Sequence, residues 1–311
     1  MKKVKIAVIG CGRLGAFHAR IYRELSGSRL TATCDIDRQR AEDTAGKFSV
    51  KAVYDYRKLI GKIDAVSICA PTRKHYEIAR FFLREKVHVL IEKPITDNIA
   101  EAKRLVTIAA KNKSIIQVGH IERFNCAFTT IKPIIKNPRF IECHRLSLFP
   151  RRSLDVGVVL DVMIHDIDII LGLMTSPIEQ ISAVGVNVLT DKEDIANARI
   201  RFRNGCIANL TASRVSDETM RKIRIFLNNT YISLDYGKQE AFIYNKEGDK
   251  IGKRPIPIEK EEPLKKELSS FLACVSGNKK PLVSGKEGLK ALELALAIQN
   301  DIRKTKLCPR E

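Results

Sequence analysis

Val4-Lys5-Ile6-Ala7-Val8-Ile9 runs without a break into Gly10-Cys11-Gly12-Arg13-Leu14-Gly15. All of the first six but Lys5 are apolar, and Val4, Ile6, Val8 and Ile9 are β-branched, the pattern of a strand buried on both faces at the centre of a parallel sheet. Leu14, Phe17, Ile21 and Leu25 then recur at helical spacing, and Gly27 punctuates the end. The glycines between strand and helix fall as GxGxxG. Gly10 suits a tight turn, Gly12 lets backbone approach a pyrophosphate, and Gly15 lets the helix pack on the strand. A pyrophosphate would rest on the helix N-terminus beside Arg13 and Leu14, against unpaired N–H groups and the positive end of the dipole.

A glycine-rich turn can also serve close packing alone. A second signal follows about 20 residues past Gly15, where the strand Leu30 to Cys34 ends at Asp35, in the place where a dinucleotide fold puts a carboxylate for the adenosine ribose. A carboxylate there repels a 2′-phosphate, so NAD is expected over NADP, with Arg38 nearby to soften the preference.

The order of elements extends this frame. A helix from Arg38 to Lys47 leads to a short strand near Ala52 to Tyr54 and a helical turn at Tyr56 to Ile60. Strands are expected at Ala65 to Ala70, Val87 to Ile91 and Ile115 to Val118, separated by helices from about Lys74 to Lys86 and from Asn98, with Glu101 completing a capping box, to about Asn112. This βαβ alternation predicts an α/β protein with a doubly wound parallel sheet. Ligands of such sheets lie beyond the carboxyl ends of the strands, so Gly10, Asp35, Pro71, Thr72 and Glu92-Lys93-Pro94 are expected along one crevice. Glu92 and Lys93 directly after a buried strand read either as a strand-end ion pair or as an ammonium held over the crevice beside the nicotinamide.

The pattern changes at His120, which predicts two domains, 1–119 and 120–311. Ile121 to Ile135 is helical but interrupted at Pro133, Arg139 to Phe149 is extended, and Pro150-Arg151-Arg152-Ser153 is a basic loop. Val158 to Met174 reads as an almost wholly apolar helix carrying Asp161, His165, Asp166 and Asp168. At regular helical pitch Asp161, His165 and Asp168 share a sector of about 60°. Such a stripe is either an Asp161–His165 pair satisfied in the core or a histidine base oriented by a carboxylate, suited to taking a proton from a hydroxyl near neutral pH. No further His or Cys lies nearby, so no metal is expected. Beyond Met174 the chain is mainly β: Ala198, Ile200 and Phe202 alternate with arginines, Asn204-Gly205 turns into Ile207 to Ala212, and short strands follow at Arg221 to Leu227, Tyr231 to Leu234 and Ala241 to Tyr244. This predicts a large, mainly antiparallel open sheet. Helices at Leu264 to Val275 and Lys286 to about Lys304 close the chain, the second opened by Ser284 and Glu287.

Composition bounds these readings. The 311 residues are 44% hydrophobic, with a net charge of +19. That excess fits anionic substrates or nucleic acid, but no run of five basic residues occurs, no helix-turn-helix is visible, and the charge reads as a solvated surface. Eight cysteines without a CxxC pair point to free thiols in a reducing cytoplasm, and no stretch is long and apolar enough to predict a membrane span or signal peptide.

The glycine motif, Ala70-Pro71-Thr72 with His75, Glu92-Lys93-Pro94 and Asp161-x-x-x-His165 together resemble the glucose-fructose oxidoreductase / inositol dehydrogenase / rhizopine catabolism (Gfo/Idh/MocA) family over essentially the whole chain. The resemblance implies a Rossmann domain followed by a C-terminal α/β domain whose open sheet makes oligomer contacts, in a dimer or tetramer that oxidises or reduces sugar-like alcohols. It assigns catalysis to Lys93 and His165, with Asp161 behind the histidine, and cofactor contacts to Gly10, Gly12, Arg13, Leu14, Gly15, Asp35, Pro71, Thr72, His75, Glu92 and Lys93. Met163 departs from the glycine of many members and is expected to narrow the pocket.

Val118 to Asn125, Leu160 to Asp168 and Asp194 to Val215 are similar to a narrower group, the UDP-N-acetylglucosamine 3-dehydrogenases that prepare the 2,3-diamino sugar of lipid A. For a nucleotide-sugar diphosphate the expected cations are Arg123, Arg151 and Arg152, with Asn125, Asp161 and His165 beside the sugar. A downstream aminotransferase is the expected partner. The alternatives are a UDP-sugar-acid 3-dehydrogenase, a free cyclitol or sugar dehydrogenase, and, more distantly, an NAD-sensing nucleic-acid-binding regulator.

Overall fold

The computed structural model describes residues 3–149, 156–277 and 279–307, with side chains to residue 304. Its residues form two compact units, 1–121 with 262–292 and 122–261 with 293–311. The stretch 262–292 therefore groups with the N-terminal unit, where the division at residue 119 placed it in the second domain.

The first unit begins with β1 (Val4–Ile9), α1 (Arg13–Glu24), β2 (Ser28–Cys34), α2 (Arg38–Phe48) and β3 (Lys51–Val53). It continues through β4 (Ala65–Ile68), α3 (Thr72–Arg84), β5 (His88–Glu92), α4 (Ile99–Asn112) and β6 (Ile116–Gly119). The six strands lie in the order β3-β2-β1-β4-β5-β6, all parallel. β1 is central because Ile6, Ala7 and Val8 are fully buried on both faces.

Helix α1 turns a different face inward from the one the leucine spacing suggests. Gly15, His18, Ala19, Ile21 and Tyr22 are buried, whereas Leu14 and Phe17 are 39% and 41% exposed. The cause is at Gly15, where a Cβ would lie 1.7 Å from the Gly10 carbonyl oxygen. That contact forces the Gly15 side of the helix onto the sheet, and residues three, four and seven positions later follow it.

In the second unit α5 (Cys126–Ile131) precedes β7 (Phe140–Leu146), and α6 (Ile164–Leu173) follows a π-helical turn at Val159–Met163. Then come β8 (Ile178–Val186), β9 (Ile195–Phe202), β10 (Ile207–Ser213), β11 (Met220–Leu227), β12 (Thr230–Asp235), β13 (Glu240–Glu247) and β14 (Lys250–Ile256). The eight strands order as β14-β13-β12-β11-β7-β10-β9-β8. All neighbours are antiparallel except β7 and β10, which pair in parallel. Ala196, Ala198, Ile200 and Phe202 of β9 are buried while Asn197, Arg199 and Arg201 are exposed, so the alternation does set the inward face. β14 escapes pattern reading because it is an edge strand with Gly252 and Pro255 and no buried residue.

The last helices are α7 (Pro263–Gly277) and α8 (Gly285–Leu307). Leu264, Leu268, Phe271, Leu272 and Cys274 of α7 share one core cluster with Val4, Ile6, Val8 and Tyr22, which is why this helix groups with the first unit. Ser284 caps α8 as read: its N–H donates to Glu287 Oε2 at 3.0 Å and its Oγ accepts from Lys286 N at 3.2 Å. No helix among the described residues is long and apolar enough to cross a membrane.

Candidate active site

In the first unit the end of β1 forms a cradle. Gly10 has φ +91°, and a Cβ on it would lie 2.6 Å from the Cys69 carbonyl oxygen, so this turn admits only glycine. Gly12 is the N-cap of α1 without a side-chain capping bond, no acid occupies the first turn, and nothing lies within 4 Å of where its Cβ would be. An open space above an uncapped helix N-terminus fits a pyrophosphate, with Arg13 and the exposed Leu14 at its side.

Asp35 follows β2. Its Oδ2 accepts from Cys11 N at 2.7 Å and its Oδ1 from Asp37 N at 2.9 Å, so both oxygens are fixed by backbone and each keeps a lone pair for a ribose hydroxyl. Ile36, next in sequence, is 93% exposed, an apolar platform beside the ribose acid that no periodicity in the sequence singles out. The Arg38 guanidinium stacks 5.0 Å from the Tyr54 ring centroid, and the Tyr54 hydroxyl donates to Glu42 at 2.7 Å. Burial pushes the Cys11 thiol up to about 11 and that of Cys34 to about 12, so both stay neutral beside this carboxylate.

Pro71 and Thr72 open α3, with Pro71 exposed at its N-cap. His75 lies on that helix but is buried. Its Nδ1 sits 2.9 Å from the Pro94 carbonyl oxygen and its Nε2 2.8 Å from that of Ala70, and burial lowers its proton affinity. Its ring thus ties the loop after β4 to the Lys93-Pro94 turn, so both ring nitrogens of this expected cofactor residue face backbone carbonyls. Lys93 is half-buried, and the Lys93–Pro94 peptide is cis.

The second unit holds Asp161 and His165, both half-buried. The charged stripe differs from the regular-helix expectation because Asp161 sits in the π-helical turn, where residues advance by less than 100° each. Asp166 and Asp168 are buried and committed elsewhere. Asp166 takes Arg145 in a bidentate pair, Nε to Oδ2 at 3.0 Å and Nη2 to Oδ1 at 2.8 Å, while Arg145 Nη1 donates to Glu122 Oε1 at 2.8 Å. Met163 is fully buried, so it belongs to the core rather than narrowing a pocket.

Two expected substrate ligands have structural occupations. Arg123 is 6% exposed, and its Nη1 donates to the Asp168 carbonyl oxygen at 3.1 Å with Nε 3.8 Å from Asp168 Oδ2. Asn125 caps α5 through Ala127 N at 3.1 Å, and its Nδ2 donates to Glu122 Oε2 and the Tyr236 carbonyl. Arg151 and Arg152 lie outside the described residues. Among those described, no group of three or more His, Cys, Asp or Glu could hold a metal, and none of the seven cysteines is in a disulfide.

The comparisons with known proteins match this division. Residues 4–120 match the family described as oxidoreductase family, NAD-binding Rossmann fold, and residues 117–233 the GFO/IDH/MocA C-terminal domain. The UDP-N-acetylglucosamine 3-dehydrogenase of Acidithiobacillus ferrooxidans is 34% identical over 306 residues, 96% of this chain and 97% of that protein. A solved structure of that enzyme superposes with a TM-score of 0.92 over 98% of this chain and 99% of its own. The myo-inositol 2-dehydrogenase of Thermotoga maritima is 28% identical over 96% of each chain. The chain belongs to the GFO/IDH/MocA family of oxidoreductases, with an NAD-binding Rossmann fold at its N-terminus.

Proposed function

We propose that this protein oxidises the 3-hydroxyl of UDP-N-acetylglucosamine to the 3-keto sugar nucleotide with NAD. The observation that carries this choice of substrate is likeness along the whole chain, 34% to a UDP-N-acetylglucosamine 3-dehydrogenase against 28% to an inositol dehydrogenase.

In this reading Gly10, Gly12, Arg13, Leu14 and Gly15 hold the pyrophosphate and Asp35 the adenosine ribose, and the nicotinamide supplies a hydride acceptor when bound. His165, held by Asp161, takes the hydroxyl proton. Lys93 donates a hydrogen bond to the same oxygen and favours its developing negative charge. Asp35, hydrogen-bonded in place by two backbone N–H groups, favours a free 2′-hydroxyl over a 2′-phosphate. Oxidation to a ketone with NAD runs uphill, so an aminotransferase that consumes the product completes the scheme, in keeping with a 2,3-diamino sugar for lipid A.

The test is incubation of purified protein with NAD, UDP-N-acetylglucosamine and a coupled aminotransferase, following NADH and trapping the carbonyl for mass spectrometry. A trapped ketone at C3, two hydrogens lighter than the substrate, supports the reading. NAD binding without product overturns the substrate assignment. A second reading, a free cyclitol dehydrogenase, is favoured by the Thermotoga relative. Inhibition by free UDP excludes it, because a free-sugar site has no use for a nucleotide.

A further inference from the structure

The edge of the first sheet carries a cavity that the cofactor crevice does not use. β3 is three residues long against seven in β2, and it pairs only with Ala32, Thr33 and Cys34. Because β3 is the last strand on that side, the Arg29–Thr31 edge of β2 is left without a partner strand. Beside it lies a cavity of about 780 Å³, walled by the end of α1, the link from α2 to β3 and the turn Tyr56–Leu59. It runs along the amino half of β2, whereas Asp35 and the glycine cradle sit at the carboxyl ends of their strands.

Five cations rim this cavity, Arg23, Arg29, Lys51, Lys58 and Lys62, and no carboxylate lines it. All of them are exposed. Among the described residues the side chains of Arg23, Arg29, Lys51 and Lys58 have no hydrogen-bond or ion-pair partner, and Lys62 Nζ donates to the Lys58 carbonyl at 2.8 Å. The acids nearest in the chain are engaged elsewhere: Glu24 with Arg20 at 3.1 Å, Glu42 with the Tyr54 hydroxyl, Asp55 with Arg57, and Asp64 with the Lys5 N–H. Like charges gathered without a counter-charge repel one another, and an anion that enters is attracted by all of them at once.

The floor has a different character. Leu30, Ala32 and Leu59 are buried and Val50 and Ala52 half-buried, so aliphatic surface backs the cationic rim. A nucleoside polyphosphate has the matching parts: phosphates for the rim, a base face for the aliphatic floor, and a base edge for the strand backbone that no neighbour pairs. An extended nucleic acid fits less well. The cations surround one bounded cavity instead of following a track, and the one aromatic ring of its lining, Tyr54, already carries the Arg38 guanidinium.

We propose that this cavity at the β2 edge binds a nucleoside polyphosphate, at a site separate from that of NAD. It does so whichever alcohol the enzyme oxidises.

The test uses folded wild-type protein with ATP as the probe. Acylation of lysines by an amine-reactive ester, read by peptide mass spectrometry, localises the site. ATP at about ten times its dissociation constant slows the labelling of Lys51 and Lys58 about tenfold. The exposed Lys111 and Lys136 label as before. NAD at a concentration that fills the crevice leaves Lys51 and Lys58 unprotected. Calorimetry on NAD-saturated protein then compares variants at exposed positions, with folding checked by thermal unfolding. Arg29→Ala and Lys58→Ala each weaken ATP binding about tenfold, whereas Lys111→Ala does not. Inorganic tripolyphosphate binds about tenfold more weakly than ATP, because it leaves the floor bare.

Labelling of Lys51 and Lys58 that ATP does not change overturns the proposal, as does ATP binding that neither alanine variant weakens. Protection by NAD equal to that by ATP makes the cavity part of the cofactor site, which also overturns it. Tripolyphosphate as tight as ATP removes the nucleoside, and a short single-stranded DNA that displaces ATP at lower concentration makes the cavity a nucleic-acid site. Either result overturns the assignment.

Discussion

Gly172 lies under the Arg123 guanidinium, so close that a Cβ on it would stand 1.3 Å from Arg123 Nη1. The arginine, from the turn Ile121–Phe124, is buried against α6 and bonded to the carbonyl of Asp168, one turn before Gly172. Gly172→Ala would gain about 1 kcal/mol of helix propensity. It would also drive Arg123 off a charge-assisted hydrogen bond worth about 1.5–3 kcal/mol. The second effect is larger, so chemical denaturation should show a net loss of about 0.5–2 kcal/mol. A stabilised variant would mean that Arg123 relocates freely.

Arg145 shows what a buried charge does when its partner is removed. Arg145→Met leaves Glu122 and Asp166 buried without their cation, and unfolding free energy should fall by about 3–5 kcal/mol. Arg254 and Glu247 make a shorter ion pair at 2.6 Å, but they are 70% and 46% exposed. Arg254→Ala should therefore change stability by less than about 1 kcal/mol in the same urea titration.

The Asp194 carboxylate is fully buried. It accepts Arg214 Nε at 2.9 Å and the backbone N–H groups of Val188, Leu189 and Thr190 at 2.7–2.9 Å. Although burial opposes the charge, the three backbone N–H groups and the Thr190 hydroxyl, which donates to Oδ1 at 2.8 Å, hold its pKa far below the ordinary value of about 3.9. Because the folded pKa is depressed, the stabilisation is present above the unfolded value and lost as pH falls through the folded one. Asp194→Asn should thus be most destabilised relative to wild type near neutral pH. The gap should narrow as pH drops below about 4, checked by thermal unfolding across pH.

Gly12 and Gly15 separate binding from folding. A Cβ at Gly12 meets nothing within 4 Å and the backbone φ there is −70°, so Gly12→Ala should cost only about 1 kcal/mol, the penalty for a poor N-cap. The methyl group would stand where the pyrophosphate belongs, and NAD affinity by calorimetry should fall about tenfold or more. Gly15→Ala collides with backbone and should not yield folded protein. Undiminished NAD affinity in Gly12→Ala would place the cofactor elsewhere.

If His165 is the base, His165→Ala should lower turnover by about 10²–10⁴ while NAD binding persists, and Lys93→Met should act similarly. Near wild-type NADH formation by His165→Ala would remove it from proton transfer.

From Val4 to Asp35 the residues themselves determined the outcome. A buried strand, a glycine needed for a positive φ, a glycine needed for backbone contact and an acid at the next strand end are local requirements, and they hold wherever the rest of the chain goes. The alternation in β9 and the capping of α8 by Ser284 were legible for the same reason. Tertiary structure alone decided which side of α1 faces inward, that α7 joins the first unit, and that β14 completes the second sheet. It also decided the fate of the charges. Arg123 and Asn125 read as ligands in sequence, yet their partners Asp168 and Tyr236 are distant in the chain. A guanidinium binds a carbonyl, a carboxylate or a phosphate through the same donors, so its role depends on which acceptor the fold brings to it.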